Sequence, residues 1–224
     1  MTPAEFEKRV KELVGHRIAR VRYHEIDYHD ANGKPLPDPM WSWCPDFDSL
    51  DHGLDFTMED GTVFYLTWGA EFEQYGLTIQ RDALHDVSAV RVWDVTGCSR
   101  WTPLLGQEIT AAGTFWSWIS PGENGAERSD YPQDIQLTFE SGERVFLSAY
   151  EVREDGFRMG MMDNVTVFFD STVAESHQVG PFAQLHRAAE PTAAGRRRAP
   201  TFLRWLGLGV YVALLTALPS ALRG

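Results

Sequence analysis

The densest run of chemically capable side chains is His24-Glu25-Ile26-Asp27-Tyr28-His29-Asp30. If this run is extended, alternate residues share a face, and Glu25, Asp27 and His29 present two carboxylates and an imidazole together. Mixed oxygen and nitrogen donors of that kind suit a divalent transition metal. The plainer reading is a solvated face running into a loop, since nothing comparable recurs at the matching place later in the chain. No cofactor is therefore expected. A second acidic group is Asp46, Asp48 and Asp51, with His52 beside it. It lacks the mid-loop glycine and terminal glutamate of a calcium-binding EF-hand loop, and is read as an anionic binding loop instead. Trp41-Ser42-Trp43 and Trp116-Ser117-Trp118 each set two indoles on one face of an extended segment. Such pairs stack on a ligand or a partner, and more often pack in a core. The candidate binding residues are thus Asp46, Asp48, Asp51, Trp41, Trp43, Trp116 and Trp118.

No familiar catalytic signature accompanies them. The chain has no Gly-x-Ser-x-Gly turn, no phosphate-cradling glycine loop, no His-Glu-x-x-His and no Cys-x-x-Cys. Its two cysteines, Cys44 and Cys98, are expected to be free thiols of a reducing cytoplasm, because the first residues are not the apolar stretch of a secretory signal.

The elements that position these residues are read from periodicity. Thr2, Pro3 and Glu5 form the start of a short helix whose apolar stripe is Phe6, Val10, Leu13 and Val14, with Gly15 closing it. A strand follows from about Ile18 to Tyr28. Period-two alternation then runs through Leu54, Phe56 and Met58 and resumes at Phe64, Leu66 and Trp68, which marks a hairpin turning at Asp60-Gly61. Ile135, Leu137 and Phe139, followed by Val145, Leu147 and Ala149, repeat the pattern around Gly142.

That recurrence belongs to a longer one. Leu13 to Ile18 matches Leu104 to Ile109, the first Trp-Ser-Trp matches the second, Thr57 to Gly61 matches Thr138 to Gly142, and Val92 to Thr96 matches Phe168 to Thr172. Four pairs in one order point to two copies of a unit, residues 12–96 and 103–172. The expected fold is mostly β: an internally duplicated sandwich or barrel-like domain over residues 1–172, with an N-terminal helix. Residues 173–200 read as a linker with a basic end.

Residues 201–224 read as a membrane anchor. Trp205 to Leu222 is 18 residues without a charge, between Arg204 and Arg223. As a helix it spans about 27 Å at 1.5 Å per residue, close to the roughly 30 Å of a hydrocarbon core. Arg196, Arg197 and Arg198 place the domain on the cytoplasmic side of a single pass through the inner membrane. Gly209, Ala213 and Ala217 lie on one stripe suited to pairing with a second copy.

Charge completes the functional expectation. All 32 acidic residues lie at or before Glu190 and five arginines follow it, so residues 1–190 carry −17 and the remainder +5. Such a domain is repelled by phosphate backbones, which excludes nucleic acid as a natural partner and favours a basic protein. The sequence reading is a non-enzymatic acidic binding protein at the cytoplasmic face of a membrane, neutralising or sensing a basic partner as an immunity protein or an adaptor does. The competing reading is a metal-dependent or hydrolytic enzyme using His24, Glu25, Asp27 and His29.

Overall fold

The computed structural model describes residues 1–30, 32–34, 41, 44–72, 75–81, 90–120, 128–152, 158–160 and 162–183. The chain is mostly β, with two antiparallel sheets and few helices.

Helix α1 (Pro3–Lys11) starts where the sequence places it. The Thr2 hydroxyl accepts from the Glu5 N–H at 3.3 Å, and the Glu5 carboxylate accepts from the Thr2 N–H at 2.6 Å. Reciprocal capping of this kind satisfies N–H groups that a first helical turn leaves open. Phe6, Val10 and Leu13 are buried, whereas Val14, beyond the helix end at Lys11, is exposed.

Sheet one contains β1 (Ile18–Ile26), β3 (Gly53–Met58), β4 (Val63–Gly69), β5 (Gly76–Arg81) and β6 (Val90–Asp94), in the order β5-β4-β3-β1-β6. Sheet two contains β2 (Phe47–Leu50), β7 (Ile109–Ile119), β8 (Ser129–Phe139), β9 (Arg144–Ser148) and β12 (Val165–Phe168), in the order β2-β12-β9-β8-β7. A small ribbon pairs β10 (Tyr150–Val152) with β11 (Arg158–Gly160). The strands β1-β3-β4-β5 and β7-β8-β9-β12 therefore follow one pattern, all antiparallel. The fifth strand is added at opposite ends, and β2 joins sheet two although its chain neighbours β1 and β3 lie in sheet one.

The alternating residues behave as a half-buried strand requires. Leu54, Phe56, Met58, Phe64 and Leu66 from sheet one meet Ile135, Leu137, Phe139, Val145 and Leu147 from sheet two in one core, which α1 extends with Phe6, Val10 and Leu13. Both hairpins turn through glycines in the left-handed region, Gly61 at φ +85° and Gly142 at φ +87°. In each, the glycine N–H donates to the last residue of the incoming strand, Gly61 to Met58 O at 2.9 Å and Gly142 to Phe139 O at 2.8 Å. The segments entering β1 and β7 are tied reciprocally. Gly15 N–H donates to Ile109 O at 2.9 Å, and Gly106 N–H donates to Ile18 O at 3.0 Å.

Among the described residues, two of the four sequence matches fall in unlike surroundings. Trp41 forms a single helical-turn residue before β2, whereas Trp116-Ser117-Trp118 lies within β7. Val92 to Thr96 ends the β6 edge beside β1, whereas Phe168 to Thr172 leaves β12, which pairs with β9 and β2. What the last pair shares is a local device: Asp94 and Asp170 each accept the N–H of the threonine two residues on, at 3.1 and 2.6 Å. Asp side chains commonly accept a backbone N–H two residues on in this way.

A pair of glycine substitutions separates two kinds of cost. A Cβ at Gly53 falls 2.3 Å from Leu66 O, a backbone atom that cannot swing aside, whereas at Gly61 it meets nothing within 4 Å. Gly61→Ala should lose about 1–2 kcal/mol, the cost of a left-handed alanine. Gly53→Ala should lose more than about 3 kcal/mol despite its ordinary φ. Urea unfolding of the two variants checks the order.

Candidate functional site

The three aspartates read as one loop are separated by a strand. Because β2 occupies Phe47–Leu50, Asp46 is exposed ahead of it, Asp48 points inward from it, and Asp51 falls in the connection to β3. Asp48 is 3% exposed. It accepts the Tyr23 O–H at 2.7 Å and pairs with the Arg100 guanidinium, while Trp101 Nε1–H donates to the Tyr23 oxygen at 2.6 Å. Arg100 also donates to the carbonyls of Cys44 and Pro45 and lies over the Phe169 ring. Asp48 thus serves the interior and presents no anionic surface. Burial raises its carboxyl, while Tyr23 and Arg100 pull it back. The Tyr23 phenol is driven well above its ordinary value by burial and then by the Asp48 charge, so it stays a neutral donor.

The expected metal set is brought together only in part, with His29 Nε2 3.8 Å from Asp27 Oδ2 and Glu25 within β1. β1 ends at Ile26, two residues short of the expected Tyr28, so Asp27 and His29 lie beyond the strand that was to align them with Glu25. Glu25 is buried at 4% exposure, His29 Nδ1 is 2.9 Å from Asp27 O, and Arg91 Nε is 3.6 Å from Asp27. Among the described residues no three His, Cys, Asp or Glu side chains are gathered to hold a metal ion. His24 belongs to a separate network, because neighbouring residues of a strand face opposite ways. Its Nε2 lies 2.6 Å from Asp55 Oδ2, and Arg22 holds the same carboxylate at 3.1 and 2.9 Å. Tyr65 packs its ring edge-on to His24 and its hydroxyl lies 3.3 Å from His52 Nδ1. Burial holds the His52 imidazole below its ordinary value, and nearby His24 adds to this.

The three described tryptophans of these segments are partly buried and pack against neighbours. Trp41 meets Tyr23 edge-on, with ring centroids 5.1 Å apart, and Trp116 meets Phe6 and Phe72 while donating to Glu7 at 3.1 Å. Trp118 lies under the Arg128 guanidinium at 5.4 Å. Trp43 lies outside the described residues, as do Gly209, Ala213, Ala217 and the whole of residues 205–222. Among the described residues no helix is long and apolar enough to cross a membrane. Cys44 and Cys98 are free thiols.

What the fold does bring together is an acidic end. The end of β1 supplies Glu25, Asp27 and Tyr28, the β2–β3 connection supplies Asp51, and the segment before β12 supplies Asp163. Asp51 Oδ1 accepts the Ile26 N–H at 2.9 Å, which pins this connection to the end of β1. Burial first, and then the Asp163 charge, push the Asp51 carboxyl up to about 6. The Tyr28 phenol is pushed up to about 12 by burial, then by Asp51, Asp163 and Glu25. Burial leads in both groups and the neighbouring carboxylates add to it, with Arg91 beside Asp27 as a local cation. Neither Asp163 nor Tyr28 was legible as a site residue, since more than a hundred positions separate Asp163 from the others and it carries no local motif.

A scan against protein-family models, a search of curated proteins and a search of solved structures each find no match to this chain.

The Asp51 carboxyl provides a direct check on the crowding. Its folded value lies above the ordinary 3.8, so its contribution to stability is fully present below that value and is lost as pH rises through about 6. A carbon-detected titration of Asp51 should give a midpoint near 6, and Asp163→Asn should lower it.

Proposed function

We propose that this protein is a non-enzymatic binding domain that receives a basic segment of a protein partner at the acidic end. The observation that supports this reading is the convergence of Glu25, Asp51 and Asp163 around Tyr28, from three separate parts of the chain, with Asp27 next to it in sequence. Burial pushes the Asp51 carboxyl up to about 6 despite the hydrogen bonds it accepts, and a lysine or arginine brought beside it would favour the ionised form. Acidity of the chain at large, net −12, steers such a partner from a distance. Hence binding should tighten as pH rises from 5 to 7 and weaken with salt. A mixed-charge groove of about 450 Å³, lined by Arg9, Arg81, Glu12 and Glu71 among others, offers no comparable preference.

In the same reading, residues 205–222 tether the domain at the cytoplasmic face of a membrane, and the two sheets derive from two copies of one unit packed as a sandwich. Support for the second point lies in the shared strand order and the reciprocal Gly15 and Gly106 bonds. Whether the partner is thereby neutralised or sensed is a matter of that partner's own activity.

The test uses a fluorescent lysine-rich peptide and the full chain. Asp27→Asn with Asp163→Asn should weaken binding about five- to tenfold, or roughly 1 kcal/mol. Glu143→Gln with Glu175→Gln removes the same charge elsewhere and should leave affinity nearly unchanged. Equal losses in both pairs would mean that only net charge matters, and would remove the acidic end from the account. Fractionation of cells should place the full chain in the membrane pellet and a chain ending at residue 195 in the supernatant.

A further inference from the structure

The outer face of sheet two is covered by the chain's own continuation. Residues 170–183 leave β12, form α2 (Ser171–Ser176) and then a short 3-10 turn, Gly180–Phe182. Asp170 caps α2 by accepting the N–H groups of Thr172 and Val173 at 2.6 and 3.1 Å. Ala174 and Val179 pack with Phe47, Phe146 and Phe168 in a second apolar cluster, separate from the main core. Gly180 has φ +64°, and a Cβ there falls 3.0 Å from the Phe146 ring, so glycine is required for the strap to lie this close.

A buried polar contact holds this strap to the sheet from beneath. Asp134 projects from β8 and is 2% exposed. Its Oδ2 accepts the Gly180 N–H at 2.8 Å, and its Oδ1 accepts the Ser148 hydroxyl from β9. Both donors are neutral. A carboxylate enclosed without a cation favours its protonated form, and the strap at Gly180 forms one wall of that enclosure. Lifting the strap returns Asp134 to water, where the ionised form is favoured. We infer that residues 170–183 act as a pH-sensitive latch, held over sheet two most firmly when Asp134 is protonated and loosened when it ionises.

The groups around Asp134 are consistent with that assignment. Burial is the leading cause that pushes its carboxyl up to about 6, opposed by the Ser148 and Gly180 bonds. On β8, Tyr131 is raised by burial and by the Asp134 charge, so it is neutral throughout this range. The residue opposite on β7 is Phe115, and β9 contributes Ser148. On the strap, Glu175 is exposed, Asp170 is held below its ordinary value by its capping bonds, and His177 lies among the rings of Phe47, Phe168 and Tyr150. His177 is the competing titrating group, and the experiment separates it from Asp134.

The sign follows from linkage. Asp134 has a higher value with the strap docked than with it open, so docking is strongest below about 4 and weakens as pH rises through about 6. Amide hydrogen exchange of the full chain, corrected for intrinsic rates, reports strap opening at Gly180, Phe182 and their neighbours. The opening constant should be about tenfold larger at pH 7.5 than at pH 5, while amides of β3 show no such change. In Asp134→Asn the strap's pH dependence should vanish. A flat profile in the unaltered chain, or a tenfold change that survives Asp134→Asn and so belongs to His177, would overturn the latch. If that variant does not fold, a carboxyl titration of Asp134 in the unaltered chain decides: a midpoint near 6 supports the latch, and an ordinary value of about 4 removes its basis.

Discussion

A carboxylate inside a protein must be paired there, or the fold bears the cost of an uncompensated charge, and Asp48 is the residue on which this constraint falls. It sits on β2, which belongs to sheet two, and its donors come from elsewhere: Tyr23 from β1 of sheet one and Arg100 from the segment before β7. Trp101 completes the chain by donating to Tyr23. Three stretches far apart in sequence are thus fixed at one point between the sheets. Tyrosine and tryptophan suit this place because each brings a large apolar body to the core and one polar atom to the network.

The acidic end depends on that arrangement. β2 crosses to sheet two and the chain returns at once to β3 in sheet one, so the short link Asp51-His52 lies where the sheets exchange strands. Fixing Asp48 fixes the start of this link, and the Ile26 N–H fixes its middle through Asp51. Asp51 is therefore held against the end of β1 by the fold, and the burial this imposes, with a smaller part from the Asp163 charge, is what raises its carboxyl. The outer faces show the same economy with polar groups. Asp55 is enclosed with Arg22 and His24 on sheet one, and Asp134 with Ser148 and Gly180 on sheet two. The difference is that Asp55 has the Arg22 guanidinium beside it, whereas the donors to Asp134 are neutral.

Much of this fold is legible in the sequence because it rests on short-range rules. The capping box of α1 is set by Thr2 and Glu5 alone, and both hairpins follow from alternation about Gly61 and Gly142. The site is less legible, for two physical reasons. Local sequence does not say which way a polar residue turns: Asp46, Asp48 and Asp51 look like one acidic loop, yet four residues of strand send one outward, one into the core and one into a link. Nor does it report distant neighbours, and Asp163 reaches the acidic end only through the β11–β12 connection. The strand that was to align Glu25, Asp27 and His29 stops at Ile26, where its ladder with β3 and β6 runs out.

The central claim, that a buried chain from Tyr23 to Asp48 couples the two sheets, is tested most directly by a double-mutant cycle in urea. Tyr23→Phe alters sheet one and Asp48→Asn alters sheet two. If the bond between them carries the coupling, the double variant should be less destabilised than the sum of the single variants by about 1–3 kcal/mol. Additive losses, agreeing within about 0.3 kcal/mol, would contradict the account and leave apolar packing alone as the link between the sheets.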